Sequence, residues 1–281
     1  MNFDKINSFA KINLSLNVIK RLPNKYHQIE SLITFAKIFD EIKIRNIKNK
    51  KNKISFSGSF AKGIGKNNTV FKLLKLLGKN IKENKKFEIR VKKNIPQKSG
   101  MGGGSMNAAS ILSYLIKKKF LDISSKLAKK IAYRVGSDVI LGLENKNSIL
   151  FRNGKIKRFN NKIGFYVLIV MPNFECSTKL IYSKVKKFSK PLYLKSNKSF
   201  FKTSNLVNST NDLEGIVFNK YSKIKKLKYF LLNLPNVIFV RMTGSGSALV
   251  AYFKLKKSAK FAAKLFKNKY KGYWYVVSKT I

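Results

Sequence analysis

The sequence has 281 residues, 44% of them hydrophobic and 12% aromatic, which is enough apolar material for one large domain or two ordinary ones and excludes wholesale disorder. A single cysteine (Cys176) excludes an internal disulfide framework, and a single histidine (His27) leaves no second imidazole for a zinc site. No uninterrupted apolar run approaches the ~18 residues of a membrane span, and the charged N-terminus is unlike a signal peptide. We therefore expect a cytoplasmic protein that does not bind membranes.

The net charge is +48, from 60 Lys and Arg residues against 12 Asp and Glu residues. Nucleic-acid binding is one interpretation, because lysines release counterions from phosphate backbones. However, Lys, Asn, Ile and Phe recur throughout the chain, which is typical of a compositional bias. Only seven of the basic residues are Arg, the side chain that base readout favours. We predict no specific nucleic-acid partner, although the charge should steer anionic ligands toward the surface.

The N-terminal segment predicts a strand. Apolar and polar residues alternate over positions 9–18, a period of two that is typical of a half-buried strand and puts Lys11 and Asn13 on one face. That polar face is either exposed to solvent, its usual fate, or part of a site. A turn is predicted at residues 23–25, just before a Tyr26–His27 pair that either packs locally or binds a ligand.

The strongest local pattern follows a predicted helix over 69–77 and a predicted strand over 87–95. Four of the five residues from Gly100 to Gly104 are glycine. After them, apolar residues recur at helical spacing and predict one apolar helix face, formed by Ala108, Ile111, Leu112, Leu115 and Ile116. Ser105 or Asn107 is expected to cap this helix. Glycines let backbone N–H groups approach an anion, and a helix N-terminus adds positive potential, so we favour a phosphate-binding loop over a flexible turn.

Other nucleotide-binding motifs are absent from the sequence. No Gly-Lys-Ser/Thr follows the glycines as in a Walker loop, no stretch fits Gly-x-Gly-x-x-Gly, and the His-Arg-Asp loop of protein kinases is missing. A second helix is predicted from Ser124 to Val135, with Gly136 at its C-terminal cap. Asp138 follows on a turn, where a carboxylate is either a local cap or a site residue.

The C-terminal half predicts a second α+β layer. In chain order the predicted elements are a linker or hairpin end at 152–162, a buried strand at Phe165–Met171, a loose loop at 186–203, a helix at 212–232, strands at 237–242 and 248–253 around Thr243–Ser247, a helix at 256–269 and a strand at 273–277.

Together the motifs resemble those of the GHMP kinase superfamily, named for galactokinase, homoserine kinase, mevalonate kinase and phosphomevalonate kinase. The matching segments occur in the family's order and are Ala10-Lys11-Ile12-Asn13-Leu14, Tyr26-His27, Pro96 to Asn107, Gly136-Ser137-Asp138-Val139 and Thr243-Gly244-Ser245-Gly246. The first two segments narrow the resemblance to a branch that phosphorylates a cytidylated substrate for isoprenoid biosynthesis. Departures from the usual family residues are Phe9, Asn24-Lys25, Met106 and Ile140.

The resemblance implies an α+β, two-domain GHMP kinase fold, with its active site in the cleft between the domains. The N-terminal domain, residues 1–158, would resemble a ribosomal protein domain, and the C-terminal domain, residues 159–281, would be ferredoxin-like. It also implies transfer of the γ-phosphoryl group of ATP, which travels with Mg²⁺, to a hydroxyl of the small cytidylated substrate. The metal ligands and the oligomeric state stay open.

The resemblance also implies roles for individual residues. Asp138 would accept the proton of the substrate hydroxyl, and Lys11 would offset charge in the transition state. The ATP-binding residues would be Pro96, Gln97, Lys98, Ser99, Gly100, Met101, Gly102, Gly103, Gly104, Ser105 and Met106, with Asn68 and Lys93 lining the adenine pocket. The substrate-binding residues would be Asn13, Tyr26, His27, Thr178, Thr243 and Gly244.

Two alternatives stay open on the sequence alone. Another GHMP kinase, such as homoserine kinase, would make the Tyr26–His27 pair incidental. A basic RNA-binding protein is the alternative from a different class, because the N-terminal fold of GHMP kinases resembles a ribosomal protein domain.

Overall fold

The computed structural model describes residues 2–23, 26–78 and 85–281. Asn24 and Lys25, part of the predicted turn, lie outside the described residues. The strands are β1 (Asp4–Asn13), β2 (Asn17–Arg21), β3 (His27–Ile47), β4 (Lys53–Ser57), β5 (Lys86–Lys92), β6 (Asn147–Leu150), β7 (Ile156–Phe159), β8 (Tyr166–Met171), β9 (Val237–Met242), β10 (Leu249–Phe253) and β11 (Trp274–Lys279). The α-helices are α1 (Thr69–Leu77), α2 (Gly103–Lys117), α3 (Ser125–Val135), α4 (Thr178–Ser183), α5 (Thr203–Asn208), α6 (Leu213–Lys220), α7 (Ser222–Leu232) and α8 (Lys256–Lys269). Short 3₁₀ helices in the described residues include Leu141–Leu143 and Lys198–Phe201.

The chain divides into two compact units, each built from separate stretches of sequence. Unit 1 contains the residues up to Lys11 together with 38–97 and 102–145, and unit 2 contains 12–37, 98–101 and 146–281. The domain boundary expected between residues 158 and 159 stays a prediction. No helix in the described parts of the chain is both long and apolar enough to cross a membrane.

Unit 1 combines a small sheet with helices α1, α2 and α3. The end of β3, from Glu41 to Ile47, pairs antiparallel with β5, and β5 pairs parallel with β4. Alternate residues of β5 (Phe87, Ile89 and Val91) are fully buried, as a period of two requires for a strand with one core face. The helix α1 has the predicted bounds, and it contacts both α2 and α3.

Unit 2 contains two antiparallel arrangements of strands. The start of β3 pairs with β2 on one side and with β6 on the other, and β6 pairs with β7, which confirms the hairpin end expected near residues 152–162. A second sheet has the order β11-β8-β10-β9, and α8 packs on β8, β10 and β11. Its core includes Leu168, Val170, Leu227, Leu231, Val240, Ala262 and Phe266.

The strand predicted over 9–18 is wrong in two respects. It is interrupted between β1 and β2, where the Leu16 N–H bonds to the Thr210 carbonyl (2.9 Å). It is also not half-buried, because its polar residues Lys11, Asn13, Ser15 and Asn17 are at most 4% exposed. Both faces of this segment are therefore covered.

Two predictions for the C-terminal half also need correction. The helix predicted over 212–232 is two helices, α6 and α7, because Tyr221 leaves the helical conformation and stacks its ring on Phe174 (centroids 5.6 Å apart). The loop predicted as loose over 186–203 is anchored. The carboxylate of Glu30 accepts hydrogen bonds from the N–H groups of Leu192 (2.9 Å) and Tyr193 (3.2 Å).

Candidate active site

The glycine loop leads directly into α2. Gly102 is the N-cap of this helix and has φ 67°, a left-handed conformation that glycine adopts at little cost. The expected cap by Ser105 or Asn107 is wrong, since both lie inside the helix and Asn107 is buried and bonded inward. Gly102 carries no side chain to accept bonds from the first turn, so this helix N-terminus is suited to an anion.

A lysine and a carboxylate lie beside that N-terminus in unit 1. The Nζ of Lys11 is 3.2 Å from Oδ2 of Asp138, and the side chain of Lys11 is 4% exposed while that of Asp138 is 37% exposed. A Cβ on Gly102 would lie 3.4 Å from Cε of Lys11 and 3.6 Å from Oδ2 of Asp138. The ammonium, the carboxylate and the glycine loop are therefore in van der Waals reach of one another. Of the two interpretations of Asp138, this geometry favours a site residue.

Several of the expected ATP-binding side chains are engaged within unit 1. Asn68 caps α1 by accepting from the N–H groups of Val70 (2.9 Å) and Phe71 (3.2 Å). The Nε2 of Gln97 donates to the carbonyl oxygens of Phe60 and Lys62, both at 2.9 Å. These residues shape the surroundings of the loop, and their contact with a nucleotide stays a prediction.

Lys93 is 3% exposed and forms an ion pair with Asp40. Burial lowers the pKa of Lys93, and the charge of Asp40 opposes part of that shift. The ammonium of Lys93 therefore lies in the protein interior and does not face solvent.

Met106 stands where the family usually has a serine, and its side chain faces the interior. It is 1% exposed, and a Cβ on Gly142 would lie 2.7 Å from its Sδ. The thioether thus fills space between α2 and the 3₁₀ helix at residues 141–143. Methionine in place of serine at position 106 therefore adds no bulky side chain to the outer surface of the loop.

Three of the sequence motifs meet within unit 2. The Oγ1 of Thr243 accepts from the N–H of Asn13 (3.1 Å) and donates to the carbonyl of Gly100 (3.3 Å). The amide of Asn13 also donates to Oγ of Ser31 (2.8 Å). Because the N-terminal motif, the glycine loop and the Thr243 loop share these bonds, the positions of Asn13, Gly100 and Thr243 depend on one another.

The close approach of two loops explains the glycines at positions 100 and 244. A Cβ on Gly100 would lie 2.0 Å from the Thr243 carbonyl oxygen, and one on Gly244 would lie 3.0 Å from the Gly100 carbonyl oxygen. Both residues have positive φ, 79° and 56°. On the same loops, Oγ1 of Thr178 bonds to Oγ of Ser245 (2.8 Å), and Lys98 pairs with Glu175 (2.7 Å).

An aromatic cluster in unit 2 surrounds His27. Tyr26 is 70% exposed, and the ring of His27 lies 5.2 Å from that of Tyr182 and 6.5 Å from that of Phe188, centroid to centroid. Burial, with a smaller contribution from Arg21, lowers the pKa of His27. Among the described residues its Nε2 has no hydrogen-bond partner. The cluster therefore offers stacking surface and an unused polar atom.

The structure adds residues that the sequence did not single out. Phe188 is 46% exposed beside His27, and its only signal was an aromatic residue in a Lys-rich loop. Ser31 and Asp40 looked like ordinary polar positions of a strand.

No group of three or more His, Cys, Asp or Glu residues that could hold a metal ion occurs in the described ranges.

Comparisons with known proteins support the GHMP kinase fold. Residues 68–145, which include the glycine loop and Asp138, match the family model described as the GHMP kinases N terminal domain. A crystal structure of 4-(cytidine 5'-diphospho)-2C-methyl-D-erythritol kinase, 21% identical, has a TM-score of 0.82 over 99% of both chains. A crystal structure of homoserine kinase from Cytophaga hutchinsonii, 15% identical, has a TM-score of 0.72 over 100% of this chain and 95% of that one. The two-domain α+β fold is that of a GHMP kinase.

Sequence relatives narrow this assignment. The chain is 52% identical to the 4-diphosphocytidyl-2-C-methyl-D-erythritol kinase of Pelagibacter ubique over the whole of both chains. It is 31% identical to the enzyme of that name from Clostridium tetani, over 99% of this chain and 100% of the other. The protein belongs to the 4-diphosphocytidyl-2-C-methyl-D-erythritol kinase family.

Proposed function

We propose that this kinase transfers the γ-phosphoryl group of ATP to the 2-hydroxyl of 4-diphosphocytidyl-2-C-methyl-D-erythritol, a reaction of non-mevalonate isoprenoid precursor biosynthesis. The observation that carries the proposal is the meeting of Lys11, Asp138 and Gly102 at the N-terminus of α2. Phosphoryl transfer needs little covalent chemistry from a protein, so a correctly placed base, a cation and a phosphate cradle are sufficient machinery.

In the proposed reaction the carboxylate of Asp138 accepts the proton of the substrate hydroxyl. The hydroxyl oxygen forms a bond to the γ-phosphorus while the bond from that phosphorus to the β–γ bridging oxygen breaks, releasing ADP. The Lys11 ammonium, 3.2 Å from Asp138, offsets negative charge that develops on the transferring group. The loop N–H groups at Gly102 to Ser105 cradle the phosphates through the positive end of α2.

The described residues suit a magnesium ion that arrives with ATP rather than one held in a protein cage, because no cluster of three acidic, histidine or cysteine ligands occurs among them. Mg²⁺ commonly keeps several waters and binds one or two carboxylates plus the substrate phosphates. Asp138 and the hydroxyl of Ser105 are the groups that would contact it. When bound, the ion neutralises charge on the phosphates.

The acceptor side of the proposal rests on unit 2. Asn13 and Thr243, which are hydrogen-bonded to each other, would position the substrate alcohol, with Gly244 and Thr178 on the neighbouring loops. The ring of Tyr26 would stack on the cytosine, and Phe188 offers a second exposed ring beside His27. The buried Nε2 of His27, which has no hydrogen-bond partner among the described residues, gives the cluster a polar atom for the edge of a base.

The experiment is mass spectrometry of the products after incubation with ATP, Mg²⁺ and 4-diphosphocytidyl-2-C-methyl-D-erythritol. A product heavier by one phosphoryl group is expected, formed one for one with ADP. Homoserine and a methylerythritol phosphate without cytidine serve as competing acceptors. Efficient phosphorylation of homoserine, or no dependence on the cytidine, would reject the proposed substrate and leave only the superfamily activity.

A further inference from the structure

We infer that Asp40, in the second half of β3, is a positioning residue for the glycine loop, an inference that rests on the proposed use of that loop for ATP. Asp40 is fully buried, and it lies in unit 1 with its partners. A buried carboxylate is costly unless it is paired and hydrogen-bonded, so its contacts reveal what it does.

One oxygen of Asp40 holds the segment that leads into the loop. Its Oδ1 accepts hydrogen bonds from the backbone N–H groups of Asn94 (2.8 Å) and Ile95 (2.9 Å). These two residues come immediately before Pro96, where the loop begins. The carboxylate therefore fixes the backbone at the loop's entry.

The other oxygen of Asp40 holds the helix that follows the loop. Its Oδ2 accepts from Nδ2 of Asn107 (2.9 Å), on the second turn of α2, and pairs with the ammonium of Lys93. The Oδ1 of Asn107 accepts a hydrogen bond from the same ammonium (2.9 Å), and its Nδ2 also donates to Oγ of Ser8 (3.0 Å). All four of these residues are at most 3% exposed.

The network also brings a positive charge beneath the first turn of α2. A Cβ on Gly103 would lie 3.3 Å from Nζ of Lys93 and 3.2 Å from Cγ2 of Ile95. The ammonium thus lies against the backbone whose N–H groups are proposed to hold phosphate. Asp40 keeps this ammonium in place. One side chain therefore holds the backbone before the loop, the helix after it and a positive charge against it. Without these bonds the glycines would leave the loop mobile.

The test replaces Asp40 by Asn and compares two measurements with the wild type. Calorimetry gives the dissociation constant of ATP, and hydrogen exchange of the peptide 96–106 in the nucleotide-free protein gives the order of the loop. Asp40→Asn should raise the ATP dissociation constant about 10- to 100-fold, the usual range for hydrogen bonds to a charged group. It should speed exchange in that peptide and leave the Michaelis constant for the cytidylated substrate unchanged.

Glu88→Gln is the matched control. Glu88 is also a largely buried carboxylate of unit 1, 13% exposed, with ion pairs to Arg45 and Arg90, and it makes none of the bonds described above. This variant should keep wild-type ATP binding and loop exchange. Wild-type values for Asp40→Asn, or equal changes in Glu88→Gln, would overturn the inference.

Asn107→Ala covers the case in which Asp40→Asn fails to fold, since it removes bonds at the helix end and leaves the Asp40–Lys93 pair intact. It should speed loop exchange and raise the ATP dissociation constant about 3- to 30-fold, and wild-type values in a folded protein would contradict the inference. The two proposals fail separately. A wild-type protein that binds ATP but does not phosphorylate the cytidylated substrate refutes the proposed function alone.

Discussion

Replacing Gly100 by Ala tests whether the close contact between the glycine loop and the Thr243 loop is needed for catalysis. The substitution has two separable costs. Gly100 has φ 79°, and an alanine in the left-handed region costs about 1–2 kcal/mol. The new Cβ would also lie 2.0 Å from the Thr243 carbonyl oxygen, which no real Cβ tolerates, so the two loops must separate.

Gly164→Ala provides the matched control for the cost of placing an alanine at positive φ. Gly164 is in the same unit and has φ 77°, and apart from its chain neighbours no described residue has an atom within 4 Å of the Cβ that an alanine would add. Both variants should lose about 1–2 kcal/mol of unfolding free energy from backbone strain, measured by urea denaturation. Gly100→Ala should lose more than its control, because it also forces the loops apart.

The catalytic difference between the two variants is the decisive result. Separating the loops by ~1 Å moves Asn13 and Thr243 from their bonded positions, and misplacement of that size costs about 100-fold in rate. Steady-state assays should therefore give a kcat/KM about 100-fold lower for Gly100→Ala and near wild type for Gly164→Ala. Equal kcat/KM values for the two folded variants would refute the reasoning.

Three further substitutions test the proposed roles. Asp138→Asn should keep the fold by circular dichroism and lower kcat about 100- to 10,000-fold, the usual cost of removing a general base, so near-normal turnover would reject Asp138 in that role. Lys11→Met should lower kcat more than it weakens ATP binding, and a loss confined to nucleotide affinity at unchanged kcat would contradict the role of Lys11. Tyr26→Ala should raise the Michaelis constant of the cytidylated substrate about 5- to 150-fold, from the roughly 1–3 kcal/mol of base stacking, whereas Tyr26→Phe should have little effect. A wild-type Michaelis constant for Tyr26→Ala would contradict the proposed stacking of cytosine on Tyr26.

The elements that the sequence predicted well are those whose pattern is local. The helices over 69–77 and 256–269 have their predicted bounds, because an amphipathic period is a local pattern. Asp138 and Lys11 are 127 positions apart, so no spacing rule could predict their 3.2 Å contact. In the sequence analysis, only the family resemblance assigned these two residues to the same site.

The errors arose where distant residues supply hydrogen bonds. The 186–203 loop looked loose because it is rich in Lys and Ser, yet Glu30 and Asp212 anchor it from far away in the sequence. Asn107 was expected to cap α2, but Asp40 and Lys93 draw its side chain into the interior. A single sequence does not report such partners, and a buried Asp looks the same in it as an exposed one.

The interleaving of the two units affects how the chain can fold during synthesis. Ala36, near the middle of β3, bridges to Thr280, and the N–H of Ile281 bonds to the Phe35 carbonyl (2.9 Å). At about 5–20 residues per second, the ribosome needs roughly 10 to 50 s to reach Thr280 after it has made Ala36. Throughout that interval the backbone around Ala36 lacks this bridge, and unpaired backbone groups of a strand are a template for pairing with other chains. A chain that stalls before residue 280 lacks the bridge altogether.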